Sequence, residues 1–246
     1  MKLVLTICLV LISVGSNAIA QQRRKAEAGL SRVEIVEGER RLAELGYWGG
    51  PVDGRFDNAS RAALVAFQKW EGRAITGRLT REEVEAIRNS KPPKARETGY
   101  EHVEVDLDRQ VLLIVDEQDN VRVLPVSTGT GKTFVWDGET SVAYTPRGRF
   151  VVYEKGVGWE ENVPGSMYYP NYISGGIAIH GSYNVPTQPA SHGCIRIPMF
   201  ATSEVSKLMK LGTIVLVYDK LSFVSAKEWT MNPKLKAAAL VNGALQ

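Results

Sequence analysis

Two of the chain's three histidines and one of its two cysteines fall in a single short segment, Ile177 to Ile197, IAIHGSYNVPTQPASHGCIRI. If its two ends are strands, side chains alternate between faces. Ile177 and Ile179 then share one face and leave His180 on the other. Ile195 and Ile197 likewise leave Cys194 and Arg196 opposite them. With the isoleucines turned to a core, His180 and Cys194 project into a common cleft, joined by the loop from Gly181 to Ser191. A free thiol is only a few per cent thiolate at neutral pH, and an imidazole within hydrogen-bond reach can take its proton and leave a nucleophile. Gly193 allows a substrate to approach the backbone closely. The amides of His192, Gly193 and Cys194 would then face a developing oxyanion. The chemistry implied is covalent acyl transfer through a thioester. Two plainer readings compete with it. A lone cysteine is usually an inert, buried small hydrophobe, but two neighbouring histidines argue against that here. Zinc ligation by His180, His192 and Cys194 would be a known type of ligand set. The His-Gly-Cys spacing suits a turn better, however, and no acidic base adjoins it. The third histidine, His102, is expected on the surface at a strand start.

The elements that must hold these residues change character along the chain. From about Gly99 to Asp219 short strands prevail. Val103, Val105 and Leu107 alternate with polar residues, Val111 to Val115 is an unbroken apolar run, and Asp116 to Asn120 supplies a turn. Further strands are expected at Val121–Val126, Phe150–Tyr153, Gly176–His180, Ile195–Ile197 and Thr213–Tyr218. One helix is expected from Ser203 to Leu211, with Gly212 as its stop. Many short strands with one or two helices make a mostly-β domain over 99–219. Ahead of it, residues 31–90 show a helical period. Ile35, Leu42 and Leu45 share a face before Gly46, Ser60 is placed to cap a second helix bearing Ala63, Phe67 and Trp70, and Thr80-Arg81-Glu82-Glu83 has the form of a capping box. This predicts a separate three-helix unit. Asn89 to Thr98 holds Pro92-Pro93 and is expected to be a stiff linker, over about 91–98, between separable domains. Gln21 to Ser31 is polar and is expected to be a flexible leader, and 220–246 forms a tail. Two tempting motifs fail. Gly129 to Thr133 lacks the first glycine of a phosphate loop, since Val126 stands there. Asp53 to Asn58 puts Arg55 where a calcium loop needs an oxygen ligand.

Composition bounds the rest. The chain has 246 residues, of which 44% are hydrophobic and 23% charged, close to an average soluble protein and enough for a substantial core. A net charge of +3 with interspersed signs gives no case for nucleic acid as a partner. Residues 1–20 have the form of a signal peptide: Lys2, an apolar run from Leu3 to Val14, and Ala18-Ile19-Ala20 as the cleavage site. The run is short for a membrane span. Export to the periplasm or cell wall is therefore expected, without stable membrane insertion after cleavage. Cleavage removes Cys8 and leaves Cys194 as the single cysteine.

Two resemblances sharpen this picture. Leu45-Gly46-Tyr47, Val52-Asp53-Gly54 with Phe56, Ala66-Phe67-Gln68 and Thr76-Gly77 resemble the peptidoglycan-binding domain carried by many cell-wall enzymes. Asp57 to Ser60 departs from that pattern. His180-Gly181 followed by Ser191-His192-Gly193-Cys194-Ile195-Arg196 resembles the signature of L,D-transpeptidase catalytic domains. Val105-Asp106-Leu107, Gln110-Val111-Leu112, Val126 to Gly129 and Thr145 to Phe150 agree with it. The gap between the two histidines is at the short end for this motif. The resemblance implies Cys194 as nucleophile and His180 as general base, oriented by the backbone oxygen of Gly181. It implies His192 and Gly193 at the oxyanion site, Ser191 holding the turn, and Arg196 facing a substrate carboxylate. It implies peptidoglycan stem tetrapeptides and glycan strands as partners, an acceptor amine on another stem or on a lipoprotein, no metal, no organic cofactor, and susceptibility to carbapenems. The alternatives are an L,D-carboxypeptidase that uses water as acceptor, and a non-catalytic peptidoglycan-binding protein.

Overall fold

The computed structural model describes residues 29–221 apart from 137, 163 and 164, together with the backbone alone at 136 and 162. The expected signal peptide and nearly all of the tail lie outside the described residues. The N-terminal unit has three helices: α1 (Arg32–Glu44), α2 (Asn58–Trp70) and α3 (Arg81–Asn89). Helix α1 begins in a complete capping box between Ser31, the last residue of the expected leader, and Glu34. It ends where Gly46 takes φ +92°, and a Cβ there would lie 2.2 Å from the carbonyl oxygen of Val121, so glycine is required. Asp57, not Ser60, caps α2, accepting from the amides of Ala59 and Ser60. Ser60 lies inside the helix and donates to buried Glu39 at 2.7 Å. Thr80 caps α3 through the amide of Glu83.

The domain that follows is mostly β. One sheet has the order β3-β2-β1-β12-β6, formed by Val121–Pro125, Val111–Val115, His102–Asp106, Ile214–Tyr218 and Gly148–Val151. Its only parallel pair is β1 with β12. A second sheet has the order β11-β10-β9-β7, from Ile195–Pro198, Ile177–Ser182, Gly165–Ser174 and Glu154–Lys155, with β8 (Trp159–Asn162) also paired to β9. Strands β4 (Thr133–Trp136) and β5 (Glu139–Val142) form a separate hairpin. Helix α4 (Met199–Leu208) follows β11 directly. Val103, Val105, Leu112 and Leu124 of the first sheet pack against Ile173, Ile179, Ile195 and Ile197 of the second and against Ala201 and Val205 of α4. None of the helices among the described residues is long and apolar enough to cross a membrane.

The two domains share a hydrophobic core. Val111, Leu113, Val115 and Val123 on the outer face of the first sheet share a core with Leu42, Leu45, Tyr47, Leu64 and Phe67 of the helical unit. The backbone continues the contact, since the amide of Val123 donates to Gly46 O and the amide of Trp48 donates to Val123 O. Lys69 is buried at the junction and donates to the carbonyls of Gln110 and Val126 at 3.0 and 2.9 Å. Burial lowers its pKa to about 7. The proline-containing stretch joins the units without holding them apart.

His102 departs from its expected surface position. It is buried, with Nδ1 2.8 Å from Tyr100 O and Nε2 3.2 Å from Glu104 Oε1. Glu104 also accepts from the amides of Arg96 and Glu97 and from the Tyr218 hydroxyl. The polar face of β1 is thus a hydrogen-bonded clamp on the connecting segment, and a burial pattern with period two does not hold there.

Candidate active site

Strands β10 and β11 run parallel, with His180 opposite Arg196. Ile179, Ile195 and Ile197 are sealed in the core. His180, Cys194 and Arg196 line a cleft of about 580 Å3 on the other face. Phe134 and Ser141 of the β4–β5 hairpin and Gly165 to Met167 of β9 form its walls. His180 is 4% exposed, and Nδ1 lies 3.0 Å from the carbonyl oxygen of Gly181. A carbonyl can only accept, so Nδ1 carries the proton and Nε2 is the ring's basic nitrogen. Burial lowers the His180 pKa to about 4, with the Gly181 bond opposing and the Arg196 charge assisting. The imidazole is therefore neutral at pH 7. Burial also pushes the Cys194 thiol up, against the opposing effects of the Ala178 amide and the Arg196 guanidinium. Its Sγ lies 3.6 Å from Gly176 O and 3.9 Å from Met167 Sδ. The resting cleft is lined by a thiol and by a neutral imidazole.

The turn before Cys194 is tied on both sides. Ser191 Oγ donates to Cys194 O at 2.5 Å and accepts from the Gly193 amide at 3.1 Å. In the resting structure the Gly193 amide is thus turned to Ser191 Oγ. His192 and Cys194, on either side of Gly193, line the cleft. Thr145 Oγ1 donates to Gly193 O at 2.7 Å and accepts from the Gly129 amide at 2.9 Å. Gly193 has φ +151°, and a Cβ would lie 2.6 Å from Ile177 Cδ1 and 2.9 Å from Tyr144 O. Gly193→Ala is expected to cost about 1–3 kcal/mol of stability from backbone strain. It should also lower kcat/KM by about 10²–10³ through displacement of the donors. Thermal unfolding and steady-state kinetics on the same preparation check both.

Comparison with known proteins bears on this geometry. Residues 100–217 match the L,D-transpeptidase catalytic domain family, and residues 31–87 match the peptidoglycan binding domain family. The crystal structure of the L,D-transpeptidase from Xylanimonas cellulosilytica is 38% identical, with a TM-score of 0.71, covering 75% of this chain and 93% of that one. The chain belongs to the L,D-transpeptidase family. The L,D-transpeptidase from Stackebrandtia nassauensis is 20% identical with a TM-score of 0.46, covering 75% of this chain and 90% of that one. No curated protein matches the chain.

Within this L,D-transpeptidase family member, every expected site residue lies at or beside the cleft. Ser191, His192, Cys194, Arg196 and His180 line it, and Gly181 and Gly193 shape it through their backbones. The His192 ring is exposed and packs 4.6 Å from the Phe134 ring. The sequence did not point to Phe134, Met167 or Tyr172 as cleft residues, nor to Thr145 as the tie behind the turn. Thr145 stood in the Thr-Pro-Arg-Gly-Arg-Phe stretch of the resemblance, and that stretch was its one signal.

Proposed function

We propose that the chain is an exported peptidoglycan L,D-transpeptidase working through a Cys194 thioester. The observation that carries the reading is the neutral His180, its Nδ1 proton fixed on Gly181 O, lining the same cleft as Cys194. His180 Nε2 takes the thiol proton as Sγ attacks the carbonyl of the third residue of a stem tetrapeptide. The carbonyl oxygen becomes negative and is stabilised by the amides of His192 and Cys194. The peptide C–N bond then breaks, and His180 returns the proton to the departing D-Ala amine. An acceptor amine attacks the thioester, the C–S bond breaks, and the thiol is regenerated. Arg196 supports the developing thiolate and offers a planar guanidinium to a substrate carboxylate.

Mass spectrometry of the products from purified tetrapeptide muropeptides tests the reading. An acceptor amine should yield free D-Ala and a new amide between stems. A tripeptide formed at the same rate with or without amine would make water the acceptor. Absence of D-Ala release under both conditions would overturn the reading.

A pH profile follows from the same geometry. The base is unprotonated above about pH 4, so acylation should hold between pH 7 and 5 and fall with an apparent pKa near 4. An ordinary histidine would lose activity from 6.5 downwards. His180 is depressed in the folded state, so its stabilising contribution is present above 6.5 and lost as the pH falls through about 4. Acylation rates measured alongside circular dichroism separate the two losses. An acid limb centred near 6.5 in folded protein would refute the buried neutral base.

A further inference from the structure

The turn that carries Cys194 rests on an extended segment, residues 126–130, to which the chemistry above gives no part. The Ser127 amide donates to Arg196 O at 3.2 Å, and the Arg196 amide donates to Ser127 O at 3.0 Å. Thr128 O accepts from the amides of Ala190 and Ser191, both at 2.9 Å, and the Thr130 amide donates to Ser191 O at 3.1 Å. The segment therefore grips the turn on both sides of Cys194. We propose that Lys69, supplied by the helical unit, and Gln110 are positioning residues for the transfer reaction: they hold this segment, and through it the turn and its thiol. The proposal rests on the transpeptidase reading of the cleft.

The first support is an unbroken string of contacts. Lys69 Nζ donates to Val126 O at 2.9 Å and to Gln110 O at 3.0 Å. Gln110 O accepts at the same time from the Val126 amide at 3.0 Å. Gln110 Nε2 donates to Thr128 Oγ1 at 2.7 Å, and Gln110 Oε1 accepts from the Thr128 amide at 3.0 Å. One amine thus fixes the start of the segment and also the residue whose side chain fixes its middle.

The second is burial. Lys69, Gln110, Ser127, Thr128 and Ser191 are each 5% exposed or less. In a close-packed interior of low dielectric, a displacement at one end of such a string is passed along it rather than absorbed by water.

The third is backbone strain at the centre of the string. Gln110 takes φ +55°, a left-handed conformation uncommon for a residue with a side chain. It persists only where the surroundings enforce it, and Lys69 and Val126 on its carbonyl, with Thr128 on its side chain, do so. On the far side, a Cβ at Gly129 would lie 2.5 Å from Ala143 O, so the segment has no room to move that way. A reacting group misplaced by about 1 Å can cost about 10² in rate, so loss of this hold should be read at the thiol.

D-Ala release from tetrapeptide muropeptides is measured on the whole chain, at a temperature where circular dichroism shows every variant folded. Methionine matches lysine and glutamine in length and carries no N–H donor. Lys69→Met, Gln110→Met and Thr128→Val should each lower kcat about 10- to 100-fold with KM within about twofold of the parent. Thr128→Ser keeps the hydroxyl and should recover kcat to within about threefold of the parent. Lys69→Met combined with Gln110→Met should cost less than the two losses multiplied, because they act on one string. Leu42→Ala opens the core of the same helical unit away from the string. It should lower the melting temperature and leave kcat unchanged. Lys69→Gln, with a donor on a shorter stem, carries the expectation for Lys69→Met should that variant not fold. Parent kcat in the folded Lys69 variant, or a loss in Leu42→Ala as large as in Lys69→Met, overturns the proposal. A parent chain that releases no D-Ala counts against the transpeptidase reading instead. Alkylation of Cys194 by iodoacetamide then decides the positioning role. Its rate should change about threefold or more in Lys69→Met and stay at the parent value in Leu42→Ala, and equal rates in all three proteins overturn the proposal.

Discussion

Cys194→Ala is expected to abolish acyl-enzyme formation and to lower turnover of tetrapeptide muropeptides by about 10⁴-fold or more. Cys194 is the free cysteine of the described residues, and the cleft offers no second thiol among them. Alanine keeps the small apolar contact beside Met167, Tyr172 and Ala178, so the melting temperature should barely move. A carbapenem gives a direct probe, since its strained lactam carbonyl should acylate an activated thiol and leave a drug-sized mass gain. Wild-type protein should gain that mass and Cys194→Ala should not. His180→Ala removes the base and should slow acylation by about 10²–10⁴. Intact-mass spectra of the three proteins against time decide the matter. A mass gain on Cys194→Ala, or wild-type speed in His180→Ala, would show that the roles are wrongly assigned.

Removing residues 29–90 is expected to unfold the catalytic domain. The deletion would expose Val111, Leu113, Val115 and Val123, all of them fully buried in the intact chain. Burial of each such side chain contributes about 1.5–3 kcal/mol. Together they amount to about 6 kcal/mol or more, comparable with the whole net stability of a domain at about 5–15 kcal/mol. The carbonyls of Gln110 and Val126 would also lose Lys69. The truncated protein should show no cooperative melting transition, and the intact protein should melt in one. Leu64→Asp in the full chain places a charge in the same seam and should lower the melting temperature of both units together. A truncated protein that melts cooperatively and retains turnover would refute the shared core.

The cleft was legible in the sequence because its chemistry is local. His180 and Cys194 lie 14 residues apart in one segment, and strand alternation sends them to the face opposite Ile179, Ile195 and Ile197; Ile177, expected with these, lines the cleft instead, past a register shift at Ile177/Ala178. Residues that reach the cleft from distant elements carry no such mark. Phe134 arrives on a hairpin and Met167 on a long strand, and their types say only that they are apolar. The five-residue apolar run of β2 did announce that both faces are covered. It did not say that α1 and α2 supply one of the covers, because periodicity reports burial without naming the neighbour. Pro92-Pro93 suggested independence for the same reason: composition describes a connection, and packing decides whether its ends stay apart. At α2, Asp57 and Ser60 both carry capping oxygens, and only backbone geometry selects Asp57. His102 was misplaced because alternation treats a polar residue as solvent-facing. In β1 the polar face is buried and satisfied by Glu104, Tyr100 and the amides of the connecting segment.

A thiol kept protonated by burial is a slow target for peroxide and for disulfide exchange, because the thiolate carries both reactions. Cys194 rests in that form, with its sulfur against Met167 and its partner imidazole uncharged. On the proposed thioester mechanism, sulfenic acid formation and mixed disulfides compete poorly with acylation, which generates the thiolate only in the step that consumes it. The residues that set the site's protonation state also set its endurance, and a substitution that turned the pair into a standing thiolate–imidazolium ion pair would exchange lifetime under oxidants for readiness.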